Sequence, residues 1–228
     1  MDRNRVEQFR FALFGRMVMG VAHEVDNHLS VILGFAELAQ ITGGESKKTM
    51  DNMGKILSSG ERINRIVRHF SFYVRSHAPV REPFRPSEMV GEFLTFSRYD
   101  LGRNNVTFAL PESYPAGIMN GDRRDIALAL LALLFNGAEA MADKGGNLRL
   151  GVSKDDGSWE FAVTDGGAGI SPGMLSRIFE EGFTSKDGPY HTGMGLPVAL
   201  YMAKEMGGAL SVGNLPEGGC RAVLRIPG

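Results

Sequence analysis

The first 77 residues carry a helical repeat of apolar side chains that is too long and too one-sided to be buried by a single helix pair. From residue 3 to about 41, apolar residues recur every three or four positions: Phe9, Leu13, Met17, Val21, Val25, Leu29 and Ile32. Glycines at 43 and 44 suit a helix end, and Ser46 suits the cap of a following helix. The sequence therefore predicts a hairpin of two long helices.

The second helix, predicted from about 46 to 77, has an apolar stripe of its own. Its members are Met53, Ile56, Leu57, Ile63, Ile66, Val67, Phe70 and Val74. Two antiparallel helices with one shared apolar face cannot cover that face by themselves, whereas two hairpins can do so as a four-helix bundle. We therefore expect a homodimer formed through the hairpin.

A proline-rich segment at 78–86 separates the helical part from the remainder of the chain. It holds three prolines in nine residues, and proline neither continues a helix nor allows one just before it. This predicts two domains, 1–80 and 81–228. Ser87 resembles the cap of a helix that runs to about Tyr99. Beyond it, strands are predicted at 106–110, 147–153, 159–164, 209–212 and 222–226, with helices at 123–142, 172–179 and 197–206, which indicates an α/β fold.

Composition narrows the possible environments and partners. The net charge is −1, so nothing in the charge balance favours nucleic acid or an anionic membrane surface. The longest apolar run, 126–135, has half of the roughly 20 residues that a spanning helix needs, so we expect no membrane contact in this chain. Cys220 is the single cysteine, which excludes an internal disulfide and is typical of a reducing cytoplasm. We expect it to be buried on a late strand.

His23 lies within the first predicted helix, two residues from both Val21 and Val25. At 100° per residue it falls opposite the apolar stripe and should face solvent. An exposed imidazole is mostly neutral at pH 7 and therefore nucleophilic. Glu24 can orient the ring, and Asn27, one turn later, can instead position a water molecule. A surface histidine without a role is the alternative interpretation.

Two further polar residues occupy places that favour ligand binding. Asn136 stands in a helix that is otherwise almost wholly apolar, where its amide oxygen can bind Mg²⁺ near phosphates or simply satisfy a helix end. Asp165 ends a predicted strand and is followed by Gly166, Gly167 and Gly169. This arrangement lets the backbone approach a ligand and lets the carboxylate accept a bond from an amine such as that of adenine, although a tight turn explains it too.

The segment Thr192-Gly193-Met194-Gly195-Leu196 leads into a helix expected to start near Pro197. Glycines before a helix N-terminus make an anion site, because free N–H groups and the helix dipole both favour negative charge. The lysine-containing phosphate loop of common NTPases is not present here. Lys186 precedes a run at 187–191 that we interpret as a mobile lid. His191 is either a metal or phosphate contact or an ordinary loop residue.

In this order, the motifs resemble the catalytic core of two-component sensor histidine kinases of the nitrogen-regulator type. The ATP-binding fold of those kinases is shared with gyrase and Hsp90-type ATPases. His23-Glu24-x-x-Asn27 resembles the phosphoacceptor box, Asn136 the asparagine box and Asp165-x-Gly167-x-Gly169 the first glycine box. Residues 178–186 are similar to the phenylalanine box, and Gly193-x-Gly195-Leu196 to the second glycine box.

The resemblance implies an α/β sandwich, with a mixed sheet covered by helices on one face, behind a dimeric helical hairpin. It implies that ATP binds with Mg²⁺ at Asn136, that His23 attacks the γ-phosphorus, and that the phosphoryl group passes to an aspartate of a response-regulator receiver domain. His23, Glu24 and Asn27 would be the catalytic residues. The nucleotide-binding residues would be Asn136, Asp165, Gly167, Gly169, Lys186, Thr192, Gly193, Gly195 and Leu196.

The chain departs from the family pattern at several positions. His28 stands where proline is common, and Asp26 places a carboxylate beside the acceptor face. Ala132 replaces a residue that is often polar, Glu139 stands where some members have a phosphate-contacting lysine, and His191 replaces a glycine. These departures leave two alternatives: a phosphotransfer or scaffold protein with a degenerate ATP site, and a protein that acts mainly as a response-regulator phosphatase.

Overall fold

The structure, a computed structural model, describes residues 1–42, 47–103, 105–186 and 191–228. Helices α1 (Arg3–Thr42) and α2 (Lys47–Val74) pack along each other as the predicted hairpin. The predicted turn, with Ser46 as a cap, lies outside the described residues. α2 ends three residues before the predicted position, because the chain turns there so that the imidazole of His77 reaches Asp122.

The two ends of the hairpin differ in burial. At the end away from the turn, α1 and α2 pack against the rest of the chain and bury Val6, Leu13, Phe14, Met17, Ile66 and Tyr73. Towards the turn, large apolar side chains stay exposed, among them Leu33, Ile41, Met50 and Leu57. Some members of the two predicted apolar stripes are exposed as well, among them Leu29 and Met53. The homodimer predicted from those stripes stays a prediction.

The second part of the chain is the predicted α/β fold, with a mixed sheet. Five strands are hydrogen-bonded in the order β2-β4-β5-β7-β6, where β2 and β4 are parallel and the other neighbours antiparallel. Two short strands, β1 and β3, pair separately. The bounds are β1 Glu82–Phe84, α3 Pro86–Leu101, β2 Val106–Ala109, β3 Met119–Gly121, α4 Arg123–Ala140, β4 Gly146–Asp155, β5 Ser158–Asp165, α5 Pro172–Leu175, α6 Gly195–Glu205, β6 Ala209–Asn214 and β7 Cys220–Pro227.

Two predicted details of the α/β part were wrong, and two short strands were missed. Ser87 does not cap α3: the helix starts at Pro86, whose fixed φ suits the first helical position, and Arg85 occupies the cap position. The helix predicted at 172–179 is only the single turn α5. β1 and β3 were not predicted, because three residues are too few for an alternating pattern. Cys220 is buried on β7, as predicted.

Helix α4 is the centre of the molecule and is buried on nearly every side. Asp122 caps it, accepting bonds from the amides of Arg124 (3.0 Å) and Asp125 (3.2 Å). The same carboxylate accepts from the Val80 amide at 2.9 Å and lies 2.8 Å from His77 Nε2. A single side chain therefore fixes both the start of α4 and the segment that follows the hairpin.

A buried ion-pair network joins the hairpin to α4. The side chain of Arg10 is completely buried, with Nη2 2.6 Å from Asp125 and Nη1 donating to the Tyr73 carbonyl at 3.1 Å. Arg3 also reaches Asp125, at 2.5 Å. Because a buried charge is tolerated only when it is paired, these contacts hold α1, α2 and α4 in one defined arrangement.

Acid should destabilise the fold through Asp122. Burial alone would raise the pKa of this carboxyl, but the bonds from His77 and the Val80 amide outweigh burial and lower it to about 2. A lowered carboxyl pKa stabilises the fold above the unfolded value near 4, and this contribution is lost as pH falls towards 2. We expect chemical denaturation to show that about 2 kcal/mol disappears over this range in the wild type.

In Asp122→Asn, stability should not fall in this way as the pH drops. In Asp51→Asn, at an exposed position on α2, stability should fall as it does in the wild type. Equal acid sensitivity in the wild type and in Asp122→Asn would contradict the assignment.

Candidate functional site

A cavity of about 260 Å³ opens between α4, the ends of β5 and β7, the start of α6 and the first half of α1. All but one of the predicted nucleotide-binding residues line it: Asn136, Asp165, Gly169, Lys186, Thr192, Gly193, Gly195 and Leu196. These residues come from four separate stretches of sequence. The fold brings them to one place because β5 and α4 both deliver their C-terminal ends there.

Asp165 lies at the end of β5 and is buried. Its Oδ1 accepts a bond from the Gly167 amide at 2.9 Å. Burial raises the pKa of the Asp165 carboxyl, and the amides of Gly167 and Cys220 oppose that shift. Gly167 itself is the predicted residue that does not line the cavity: a Cβ there would lie 2.8 Å from Ala140 Cβ. Gly167 lies instead in the turn after β5, where its amide donates to the Asp165 carboxylate.

The loop before α6 also requires glycine. Gly193 has a φ of +64°, and a Cβ on it would lie 2.4 Å from the carbonyl carbon of Gly182. α6 begins at Gly195 rather than near Pro197, so Gly195 and Leu196 belong to its first turn, whose N–H groups have no acceptor within the helix. Gly195 also lies close to Asn136: a Cβ there would lie 3.1 Å from Asn136 Nδ2. The helix N-terminus and the asparagine therefore face the same small space.

Glu139, one turn after Asn136 on α4, is surrounded by cationic groups. Its Oε2 lies 2.8 Å from Lys186 Nζ and 3.4 Å from His191 Nδ1, and its Oε1 pairs with Arg16 Nη1. Burial alone would raise the pKa of the Glu139 carboxyl, but Lys186 and Arg16 lower it below the usual range. His191, for which the sequence left two interpretations open, thus lies beside a carboxylate at the cavity wall. Of the predicted lid at 187–191, residues 187–190 lie outside the described residues.

Three residues of α1 line the cavity as well, and sequence analysis missed them: Phe9, Leu13 and Arg16. The guanidinium of Arg16 lies 4.9 Å from the centre of the Phe135 ring. Phe9 and Leu13 appeared in the sequence only as members of the apolar stripe. No signal marked Arg16, because it belongs to no motif and lies 123 positions from its partner Glu139.

His23 is exposed on α1, as predicted, but it does not line the cavity. Its ring packs against Tyr99 at the end of α3, with 4.6 Å between ring centres. One turn earlier, Gly20 lies so near α3 that a Cβ on it would be 2.2 Å from Asp100 Oδ2. His23 follows Arg16 by seven residues, about 10 Å along the helix. The structure thus gathers the predicted nucleotide-binding residues but keeps the predicted acceptor histidine apart from them.

Glu24 and Asn27 accompany His23 on α1. Glu24 is half-buried and Asn27 is exposed, and neither lines the cavity. The three residues predicted to be catalytic therefore form a separate group on the hairpin.

The cavity has the donor set that a magnesium nucleotide needs. Asn136 presents an amide oxygen on α4, and such an oxygen is a ligand that Mg²⁺ accepts. The first turn of α6, Lys186 and Arg16 supply the positive charge that phosphates require. Asp165 supplies a carboxylate for an amine. The residues present therefore fit both parts of the ligand.

Residues 121–228 match the model of the family described as histidine kinase-, DNA gyrase B-, and HSP90-like ATPase, and the fold of this part of the chain is the one expected from that match. The whole chain resembles the catalytic core of two-component sensor histidine kinases, which confirms the resemblance seen in the sequence.

Individual relatives agree with this placement. The two-component sensor PprA of Pseudomonas aeruginosa is 27% identical over 228 residues, covering 96% of this chain and 25% of PprA. The sensor histidine kinase ZraS of Escherichia coli O157:H7 is 27% identical over 222 residues, covering 96% of this chain and 47% of ZraS. The chain thus spans between a quarter and a half of the length of these relatives.

A solved structure of the mycobacterial sensor histidine kinase MprB is 27% identical, with a TM-score of 0.55, and covers 65% of this chain and 98% of that one. The histidine kinase ThkA, solved in complex with the response regulator protein TrrA, has a TM-score of 0.56 at 20% identity over 98% of this chain and 64% of that one. The second likeness extends the shared fold to the hairpin. No helix in the described ranges is long and apolar enough to cross a membrane.

Proposed function

We propose that this chain is the catalytic core of an ATP-dependent protein histidine kinase that phosphorylates itself on His23. The observation that carries the proposal is the convergence of eight predicted nucleotide-binding residues on one cavity, beside a helix that carries the predicted phosphoacceptor motif. In this proposal residues 1–80 are the dimerisation and phosphoacceptor domain, and 81–228 are the ATP-binding domain.

The nucleotide would bind with its adenine amine donating to Asp165, the buried carboxylate at the end of β5. The amides of Gly193, Gly195 and Leu196, with Lys186, would hold the phosphates at the start of α6. Asn136 would hold Mg²⁺, which when bound neutralises phosphate charge. Thr192 and Gly169 complete the walls of the cavity.

In the transfer step, a ring nitrogen of His23 forms a bond to the γ-phosphorus while the bond from that phosphorus to the ADP oxygen breaks. Glu24 orients the imidazole and stabilises the positive charge that develops on it. Reacting atoms must approach to about 3–3.5 Å, so the ATP-binding domain has to leave its place on α1, where Glu139 pairs with Arg16 and Tyr99 packs against His23, before transfer. The present arrangement is therefore one that precedes or follows the reaction.

The phosphoryl group would then pass from His23 to an aspartate of a response-regulator receiver domain that docks on the hairpin. The solved complex of ThkA with a response regulator protein supports this kind of partner. Asn27 would position a water for a separate reaction, hydrolysis of the partner's acyl phosphate, which releases inorganic phosphate and restores the aspartate. We further propose that the hairpin forms a homodimer, because a second hairpin would bury its exposed apolar side chains. We also propose that the core works in the cytoplasm.

The direct test is incubation of the purified chain with γ-labelled ATP and Mg²⁺. The wild type should acquire label that is stable in alkali and lost in acid, because the N–P bond of phosphohistidine has that stability. His23→Ala should acquire at least about 100-fold less, because it lacks the nucleophile.

His28→Ala, a histidine change five residues along the same helix, is the matched control and should keep the label. Asn136→Ala should lose the label while keeping His23 intact. Absence of label in a folded, ATP-binding wild type would contradict the proposal and favour the phosphatase interpretation. Absence of ATP binding would favour the phosphotransfer or scaffold interpretation.

A further inference from the structure

We propose that Arg16, on the phosphoacceptor helix, is a phosphate-binding residue of the nucleotide site, and that the Glu139 carboxylate pairs with the Arg16 guanidinium when no nucleotide is bound. This inference rests on the proposed function, because it assumes that the cavity takes an adenine nucleotide. It makes the site a composite one, completed by a residue from outside the ATP-binding domain.

The first support is position. Arg16 lines the cavity from α1 and pairs with Glu139, which lies one turn after Asn136 on α4. Its guanidinium rests near the Phe135 ring, and its side chain is about a quarter exposed. The charged end is thus held at the cavity wall, within one helical turn of the asparagine expected at the phosphates.

The second support is the distribution of charge. Among the described residues that line the cavity, the charged side chains are Arg16, Lys186, Glu139 and Asp165, with His191 as a titratable neighbour. Both full positive charges pair with the single carboxylate of Glu139. Lys186 also interacts with Asp165, the carboxylate expected to meet the adenine amine. Arg16 and Lys186 thus share Glu139 as a counter-charge, and a triphosphate that enters the cavity meets both cations.

The third support is chemical equivalence. A guanidinium binds carboxylate and phosphate oxygens through the same pair of N–H donors, so a phosphate can replace Glu139 as the partner of Arg16. A glutamate cannot contact phosphate oxygens favourably by itself, since both are negative. Glu139 therefore acts as a competitor that positions Arg16 and Lys186 for the ligand.

The proposal predicts opposite effects of two substitutions on phosphate recognition. Calorimetry with adenosine, with MgADP and with MgATP on the full chain measures them. Arg16→Gln should weaken MgATP binding about tenfold and leave adenosine binding unchanged, because only the phosphates contact Arg16. Glu139→Gln should strengthen MgATP binding severalfold, again without effect on adenosine, because the competing charge is gone.

Arg62→Gln, an equal charge change at an exposed position of α2 outside the cavity, is the control and should bind all three ligands as the wild type does. Arg16→Lys should keep part of the MgATP affinity, since it keeps the charge. Wild-type MgATP affinity in Arg16→Gln would overturn the proposal, as would a weaker affinity in Glu139→Gln. If the wild type binds none of the three ligands, it is the proposed function that fails.

Discussion

We expect Asp165→Asn to weaken adenine-nucleotide binding at least about 100-fold. Asp165 is buried at the cavity wall, and asparagine there presents an amide N–H₂ group where the wild type presents an acceptor. A donor of the ligand would then face a donor of the protein, and discrimination by buried hydrogen-bonding groups of this kind is large. Calorimetric titration with MgADP measures the effect. Asp155→Asn, on an exposed part of β4, is the control and should bind normally.

The same carboxylate should make nucleotide binding depend on pH. Burial raises the pKa of Asp165 above the usual carboxyl value, and the ionised form is the better acceptor for an amine. Affinity should therefore be full above that pKa and fall as the pH drops through it. Asp165→Asn should show no such step. If the wild type and the variant lose affinity in parallel as pH falls, Asp165 is not the adenine contact.

The second large effect is expected from Gly20→Ala. A Cβ at this position would lie 2.2 Å from Asp100 Oδ2 and 3.0 Å from Tyr99 Cδ1, so α3 must move away from α1. Overpacking of this kind costs about 1–3 kcal/mol, which corresponds to roughly tenfold or more in the population of the docked arrangement. Because the Tyr99 ring packs against the His23 ring in that arrangement, we expect the initial rate of autophosphorylation at saturating ATP to rise about tenfold.

Gly15→Ala is the matched control, since it lies on the same helix and a Cβ there meets nothing within 4 Å. Both substitutions gain the same helix propensity, about 1 kcal/mol, so any difference between them reports on contact with α3. Equal rates in the two variants would show that the contact between α1 and α3 does not restrain transfer.

Local patterns were sufficient to predict most elements of the fold. The alternating residues of β5 and the helical repeat of α1 gave their positions to within one or two residues, because β5 buries alternate side chains and the first half of α1 buries one face. Motifs with fixed spacing likewise located Asp165, Asn136 and the loop at Gly193. In these cases a residue's neighbours in sequence are also its neighbours in space.

What the sequence did not predict depends on contacts between distant segments. Arg16 pairs with Glu139, 123 positions away in the sequence, and His23 packs against Tyr99, 76 positions away. No periodicity in the sequence marks either pair. β1 and β3 are too short for a pattern, and each forms only because the other is beside it. Such pairs form only when whole helices and strands pack against each other, and no local pattern in the sequence marks them.

The contacts of Asp122 also affect how the molecule can be divided for study. A fragment cut at the proline-rich segment would begin after His77 and Val80, and would leave the cap of α4 with a buried carboxylate deprived of two partners. Asp125 would lose Arg10 and Arg3 as well. A fragment that keeps both of these contacts of Asp122 therefore has to start no later than His77, before the compositional boundary at 78–86.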